Sequence, residues 1–373
     1  MEKTTDKIPT ILIVGAGIGG LSFYHSVRKN LGQKFKVKIF ERETSPQDRW
    51  QGYNLFINRK GITSLFYCTP VEVQARLPEA MPDPIPKEKH SITIVDHVGR
   101  CLLSLPQYKA KNVYEIESLK HDFAGIVTYR NILRDVLLEG VDIQWGKKCV
   151  GYEESDDGVW VLFEDGTREF GDLLIGADGI NSPIRKQKVP DLEIFDLGVA
   201  GVDVDVAISK DLAERLMSIY GNSLLQQSIG RNGDSSFSIM RFIPIDQLDV
   251  PRYRITFSYN YPTNLDIKDN ILIDDNDPNS VIKHTISRIK QSRPPCELTD
   301  LMIEIFSLVP FSHPGEKHPF RTYNPPRRRQ LRDINPLSVP PWNDDRIVLL
   351  GDAAHAMTPR LGLGRRPVDQ GIT

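Results

Sequence analysis

Four cysteines in 373 residues, at positions 68, 101, 149 and 296, are too few and too scattered for a disulfide framework, and no CxxC pair suggests a zinc site. They read as buried thiols in a reducing compartment, and no metal site is expected. No apolar run has the length of a membrane span. The N-terminal Met-Glu-Lys-Thr-Thr-Asp-Lys is polar, mixed in charge and leads straight into an apolar segment, unlike a secretory leader. A cytoplasmic protein is expected. The net charge is only −2, so there is no one-signed field to attract nucleic acid or an anionic membrane surface. A small molecule is the expected partner. Repeats and low-complexity tracts are also lacking. With 40% hydrophobic and 26% charged residues the chain has the composition of a globular protein, long enough for two domains or one elaborated one.

What is present begins with Ile11-Leu-Ile-Val-Gly-Ala-Gly-Ile-Gly-Gly20, an apolar run that breaks into glycines and resumes as Leu21-Ser-Phe-Tyr-His-Ser-Val-Arg. The run suits a strand buried on both faces, and the segment after Gly20 has helical spacing. A strand, a tight glycine turn and a helix form a nucleotide site. Gly15 permits the turn, Gly17 lets the backbone approach a pyrophosphate, and Gly20 lets helix and strand pack closely. The next strand, Lys36-Val-Lys-Ile-Phe40, ends in Glu41, about twenty residues beyond Gly20, where a dinucleotide fold places the carboxylate that accepts from ribose hydroxyls. An acidic residue there fits the unphosphorylated adenosine ribose of FAD or NAD and disfavours NADP.

Farther along, the stretch 50–58 reads as a strand leading into a helix near 61–67, and 69–89, with five prolines, as loop with a short helix. Two apolar runs around Asp96-His-Val-Gly99 form a hairpin signal. The spacing over 128–138 predicts a helix with Thr128 as N-cap and Gly140 as its stop. A strand at 141–145 and a hairpin turning at Asp165-Gly166 follow. From about residue 199 the pattern alternates as in half-exposed strands, with helices near 211–220, 280–290 and 298–308. A further buried strand, 346–350, ends in Gly351-Asp-Ala-Ala-His355.

Three signatures therefore stand in order: Gly15-Ala-Gly-Ile-Gly-Gly20 with Glu41, then Gly176-Ala-Asp-Gly-Ile-Asn-Ser-Pro-Ile-Arg185, then Gly351-Asp-Ala-Ala-His-Ala-Met-Thr-Pro359. Together they resemble the single-component FAD-dependent aromatic hydroxylases, the family of p-hydroxybenzoate, salicylate and related fungal monooxygenases. The resemblance covers most of the chain, strongly at the motifs and weakly between them. It implies an α/β fold: a Rossmann-like FAD-binding domain of the glutathione-reductase type with a mixed β-sheet substrate domain. The expected division is 1–195 for the FAD-binding domain with a β excursion near 70–125, 196–335 for the substrate domain, and 336–373 for a return to the FAD-binding domain.

The resemblance also implies cofactor contacts. Asp178 matches the segment beside the FAD pyrophosphate and, transiently, NAD(P)H; Asp352 matches the aspartate on the ribityl or ribose portion. Pro359, Gly362 and Gly364 match the backbone beside the isoalloxazine ring, Arg130 the arginine that holds FAD from the far side, and Gly52, more loosely, a backbone contact to the flavin. His355 is expected to pack or hydrogen-bond and not to act as a base. The implied reaction uses NAD(P)H to reduce FAD and O₂ as oxidant to hydroxylate or epoxidise an electron-rich aromatic or polyene small molecule, a secondary-metabolism substrate by the family's fungal habit. The flavin performs the chemistry, and no side chain is assigned acid-base work. Arg241, Tyr253 and Tyr259 in the central sheet are read either as pocket-lining residues or as ordinary sheet residues. No second GxGxxG and no WxWxIP occur, which sets aside disulfide reductases, Baeyer-Villiger enzymes and flavin halogenases.

One departure supports a rival reading. The family's glycine turn after Pro359 opens a long helix facing the flavin pyrimidine, whereas Leu361-Gly-Leu-Gly364 is followed here by Arg365-Arg-Pro-Val-Asp-Gln-Gly-Ile-Thr373. The closing helix is expected to be missing. A catalytically defective flavin-fold protein is the alternative that this ending suggests.

Overall fold

The computed structural model describes residues 8–46, 48, 54–81, 89–105, 113–118, 125–243, 252–268, 273–309, 326–339 and 346–357. Strand β1 (Thr10–Val14) lies at the middle of a five-stranded parallel sheet. It pairs with β2 (Lys36–Phe40) on one side and with Leu173–Gly176 on the other; Ile143–Gln144 extends the sheet beyond β2, and Ile347–Leu349 beyond Leu173–Gly176. The continuous apolar run has the reason the sequence suggests: Ile11, Leu12, Ile13 and Val14 are all buried, because both faces are covered.

Ile11 and Ile13 meet Leu21 and Val27 of helix α1 (Ile18–Leu31) and Leu133, Val136 and Leu137 of the helix Arg130–Leu138. Leu12 and Val14 meet Val159, Val161 and Phe163 of a three-stranded antiparallel sheet, Cys149–Ser155, Gly158–Phe163 and Arg168–Gly171. Each such side chain contributes roughly 1.5–3 kcal/mol on burial. A parallel sheet between helices and a small antiparallel sheet is the expected nucleotide-binding layer.

The second sheet has seven strands in the order Arg328–Ile334, Ile194–Ile208, Arg252–Pro262, Ser235–Ile243, Ser223–Ile229, Lys89–Val95 and Cys101–Ser104. Its β excursion strands are therefore its edge: Lys89–Val95 pairs in parallel with Ser223–Ile229. The helices Lys210–Tyr220, Pro278–Ser292 and Glu297–Ser307 bury one face against Val202, Val204, Val206, Ile255 and Phe257. On the opposite face Leu225 and Ile239 pack with Phe56 and Val127 of a two-stranded antiparallel sheet, Asn54–Asn58 with Gly125–Tyr129. That small sheet joins the two larger ones.

Some local expectations change. Thr128 is not an N-cap: it lies within the strand Gly125–Tyr129, and the helix starts at Arg130 without a side-chain cap. The β-branched run Ile126-Val127-Thr128 pairs with Asn54–Asn58, and that pairing outweighs the capping preference of a threonine. The cysteines are all free, but only Cys149 is buried; Cys101 is exposed, and Cys68 and Cys296 are intermediate. No helix among the described residues is long and apolar enough to cross a membrane.

Candidate functional site

The three motifs meet at one edge. Ala177 donates its N–H to the Val14 carbonyl at 2.8 Å, Gly15 donates to Phe40 at 2.8 Å, and Leu350 donates to Gly176 at 2.9 Å, so the chain leaving each parallel strand is tied to its neighbour. This crevice at the carboxyl ends of the strands, where β1 separates chain running to either side, is where an open α/β sheet receives a ligand.

The three glycines of the first turn differ in what confines them. Gly15 has φ +106°, and a Cβ there would stand 2.3 Å from the Ala177 carbonyl oxygen. A Cβ on Gly20 would stand 2.1 Å from the Gly15 carbonyl oxygen. Both positions are closed by the fold itself. Among the described residues a Cβ on Gly17 would meet nothing within 4 Å, and Gly17 caps α1 at φ −81°, a conformation open to any residue. No described residue therefore fills the space before the first N–H groups of α1.

Glu41 is buried, and its Oε2 accepts the Ala16 N–H at 2.8 Å while Oε1 accepts the Glu43 N–H at 3.3 Å. A carboxylate has about four acceptor positions, so two are not filled by donors of the described residues. Arg134 completes the arrangement: its Nε donates to the Ala16 carbonyl at 2.9 Å, Nη1 to Glu43 at 3.3 Å, and Nη2 stands 3.8 Å from Glu41. Sequence reasoning missed Arg134. The available signal was a charge inside the helical stripe formed by residues 130, 133, 134 and 137, two of which are the buried Leu133 and Leu137.

Asp178 follows the strand Leu173–Gly176, directly beside Gly15. Both of its carboxylate oxygens are closed off from solvent, with no partner in hydrogen-bonding geometry among the described residues. Burial pushes its pKa up to about 6, against the opposing pull of the Ser182 hydroxyl, Arg185 and Arg42. The Ser182 oxygen itself accepts the Arg185 N–H and caps the short helix Pro183–Lys188. A buried acceptor without a donor is costly, and hydroxyl or N–H groups of a ligand would relieve it.

Asp352 is exposed, at the start of the turn Asp352–His355 after Gly351, whose φ is +62°. Arg130 is half-buried at the first position of its helix. His355 is exposed, contrary to the expected packing; its backbone N–H donates to Gly351. Gly52, Pro359, Gly362 and Gly364 lie outside the described residues. Tyr253 and Tyr259 are not pocket residues: both are buried in the core between the larger sheet and its helices, and the Tyr259 hydroxyl donates to Asp234 at 3.2 Å. Their strand alternates, and Arg254, Thr256 and Ser258 occupy the other face, so the two tyrosines are ordinary sheet residues, the second of the two expected readings. The backbone of Arg241 pairs with Arg254, and its side chain lies outside the description. No metal-ligand cluster occurs among the described residues.

An open glycine turn, a helix N-terminus, the buried Glu41 carboxylate and an Asp178 carboxylate without a hydrogen-bond donor in good geometry among the described residues make an α/β crevice with the chemistry to receive a dinucleotide. No protein-family model matches the chain. It is 29% identical to the FAD-dependent monooxygenase thnD of Trichoderma harzianum over 368 residues, 95% of this chain and 78% of that one. It is 27% identical over 377 residues to an FAD-dependent monooxygenase of Arthroderma benhamiae, again 95% and 78%. An FAD-containing monooxygenase of Photorhabdus luminescens has the same fold, with a TM-score of 0.68 at 24% identity over 94% of this chain and 82% of that one. Over 95% of its length the chain is thus similar to FAD-dependent monooxygenases of fungi.

Proposed function

We propose that this protein binds FAD across the crevice and uses NAD(P)H and O₂ to hydroxylate or epoxidise an electron-rich aromatic or polyene small molecule. The observation that carries the reading is the meeting of three separate motifs, at Gly15, Asp178 and Gly351, on the carboxyl edge of adjacent parallel strands. The relatives match over 95% of this chain, which favours an enzyme over a flavin-fold protein without activity.

In this reading Gly15, Gly17 and Gly20 shape the turn, and the first N–H groups of α1 take the pyrophosphate. Glu41 accepts the adenosine ribose hydroxyls with its two remaining positions. Asp178 accepts a hydrogen bond from the cofactor, Arg130 holds a pyrophosphate or ribityl oxygen from the far side, and Asp352 holds the ribityl or ribose portion. Gly52, Pro359, Gly362 and Gly364 complete the flavin contacts. FAD, when bound, supplies the redox chemistry and the activation of O₂; the protein orients it and excludes water. The FAD-binding domain comprises 1–195 and 336–373, and 196–335 forms the substrate domain. Secondary metabolism is the expected setting.

The test is isotope labelling. Purified protein is incubated with NAD(P)H and a panel of phenols and polyenes under ¹⁸O₂. One labelled oxygen atom per product, with substrate-stimulated NAD(P)H oxidation, is the expected result. Product formed under strict anaerobiosis, or carrying oxygen from water, would overturn it.

A further inference from the structure

Glu41 and Glu43 lie two residues apart, with side chains only 10% and 13% exposed, beside the turn that the cofactor must approach. Two carboxylates so placed repel each other, and without a cation one of them gains by turning toward solvent. Arg134 is the cation placed against both: Nη1 is 3.3 Å from Glu43 and Nη2 3.8 Å from Glu41. Its Nε donates to the carbonyl of Ala16, the residue whose N–H donates to Glu41. The peptide groups on both sides of Ala16 are thus held, one by the acid and one by the base. The guanidinium lies 5.7 Å from the centre of the Trp145 ring, and its side chain is 7% exposed.

We propose that Arg134 is a positioning residue: it fixes the Glu41 carboxylate in the orientation that accepts the ribose hydroxyls of a dinucleotide. The inference rests on the FAD reading above. The Nε and one Nη1 N–H of Arg134 are engaged by the Ala16 carbonyl and Glu43, and Nη2 faces Glu41 at 3.8 Å as an ion pair. Arg134 acts on affinity through Glu41. A lysine keeps the charge but has no planar fork, so it cannot serve the carbonyl and both carboxylates together.

The test compares two displacing ligands, ADP and 2′,3′-dideoxy-ADP, on protein loaded with FAD, followed by the flavin fluorescence released. The two differ only in the ribose hydroxyls. Wild-type protein should prefer ADP by about tenfold, the scale of a hydrogen bond to a charged group. Arg134→Gln should reduce that preference below about threefold while changing the dideoxy-ADP affinity by less than that factor. Arg134→Lys should lie between, and Glu41→Gln should abolish the preference whether or not Arg134 is present. A purely structural arginine would weaken both ligands equally. If Arg134→Gln keeps the full preference, or if it is insoluble and Arg134→Lys keeps it, the proposal is overturned. Wild-type protein that holds FAD but shows no preference overturns it too, by removing the ribose contact. Protein that holds no FAD overturns the functional reading itself.

Discussion

Asn54 Nδ2 donates to Thr256 Oγ1 at 2.6 Å across 202 residues of chain, and this bond joins the two-stranded sheet to the seven-stranded one. The Thr256 hydroxyl in turn donates to Asp205 Oδ1 at 3.2 Å, and Asp205 is paired with Arg254, whose Nη2 is 2.6 Å from Oδ2. Arg254 lies 5.7 Å from the centre of the Tyr129 ring in the two-stranded sheet. A chain of donors and acceptors therefore runs from one sheet layer to the other through mostly buried side chains.

Thr256→Val removes the middle of that chain and strands the Asn54 amide. The expected loss is about 1–3 kcal/mol, because a buried donor is left unpaired. Replacing both partners, as Asn54→Leu with Thr256→Val, should cost less than the sum of the single changes. Urea denaturation of the four proteins measures this. Strict additivity would show that the bond does not couple the layers.

The glycine turn makes a contrast of its own. Gly20→Ala places a methyl group 2.1 Å from the Gly15 carbonyl oxygen, and backbone must move to admit it. A lower thermal midpoint is expected whether or not flavin is bound. Gly17→Ala meets no atom of the described residues within 4 Å, so the flavin-free protein should lose at most about 1 kcal/mol, the difference between glycine and alanine as a helix cap. Its FAD affinity should nonetheless fall, because the methyl group occupies the open approach. Equal FAD binding by Gly17→Ala and wild type would place the pyrophosphate elsewhere.

Asp178 makes stability depend on pH. Its folded pKa is about 6, raised from the ordinary 3.8, so below pH 4 it is protonated in both states and costs nothing. As the pH rises through 6 the buried charge forms and flavin-free protein loses stability, since the folded state holds more protons in that window. Asp178→Asn should therefore stabilise the flavin-free protein at pH 7.5, on the order of 1–3 kcal/mol, with the gain shrinking toward pH 4. Thermal midpoints across pH check this. A variant no more stable than wild type at pH 7.5 would mean that the carboxylate is solvated after all.

The sequence by itself determined the local units. An apolar run broken by glycines dictates β1, the turn and α1, since no other residue tolerates the approach at Gly15 and Gly20. The run Lys36–Phe40 likewise makes a strand that delivers Glu41 to the crevice. Apolar patterning also marked the helices Lys210–Tyr220, Pro278–Ser292 and Glu297–Ser307 to within a few residues. Tertiary structure decided what no local pattern encodes. Alternation along Arg252–Pro262 shows which residues share a face, but not which face meets helices, because tyrosine is compatible with a core as well as a pocket; Tyr253 and Tyr259 went to the core. Thr128 became part of a strand once Asn54–Asn58 lay beside it. Arg134 acquired its partners only when its helix packed on α1 and its guanidinium reached Ala16, Glu41 and Glu43. Hydrogen bonds and charge pairs depend on distances of a few ångströms between segments far apart in the chain, and only the packed layers set those distances.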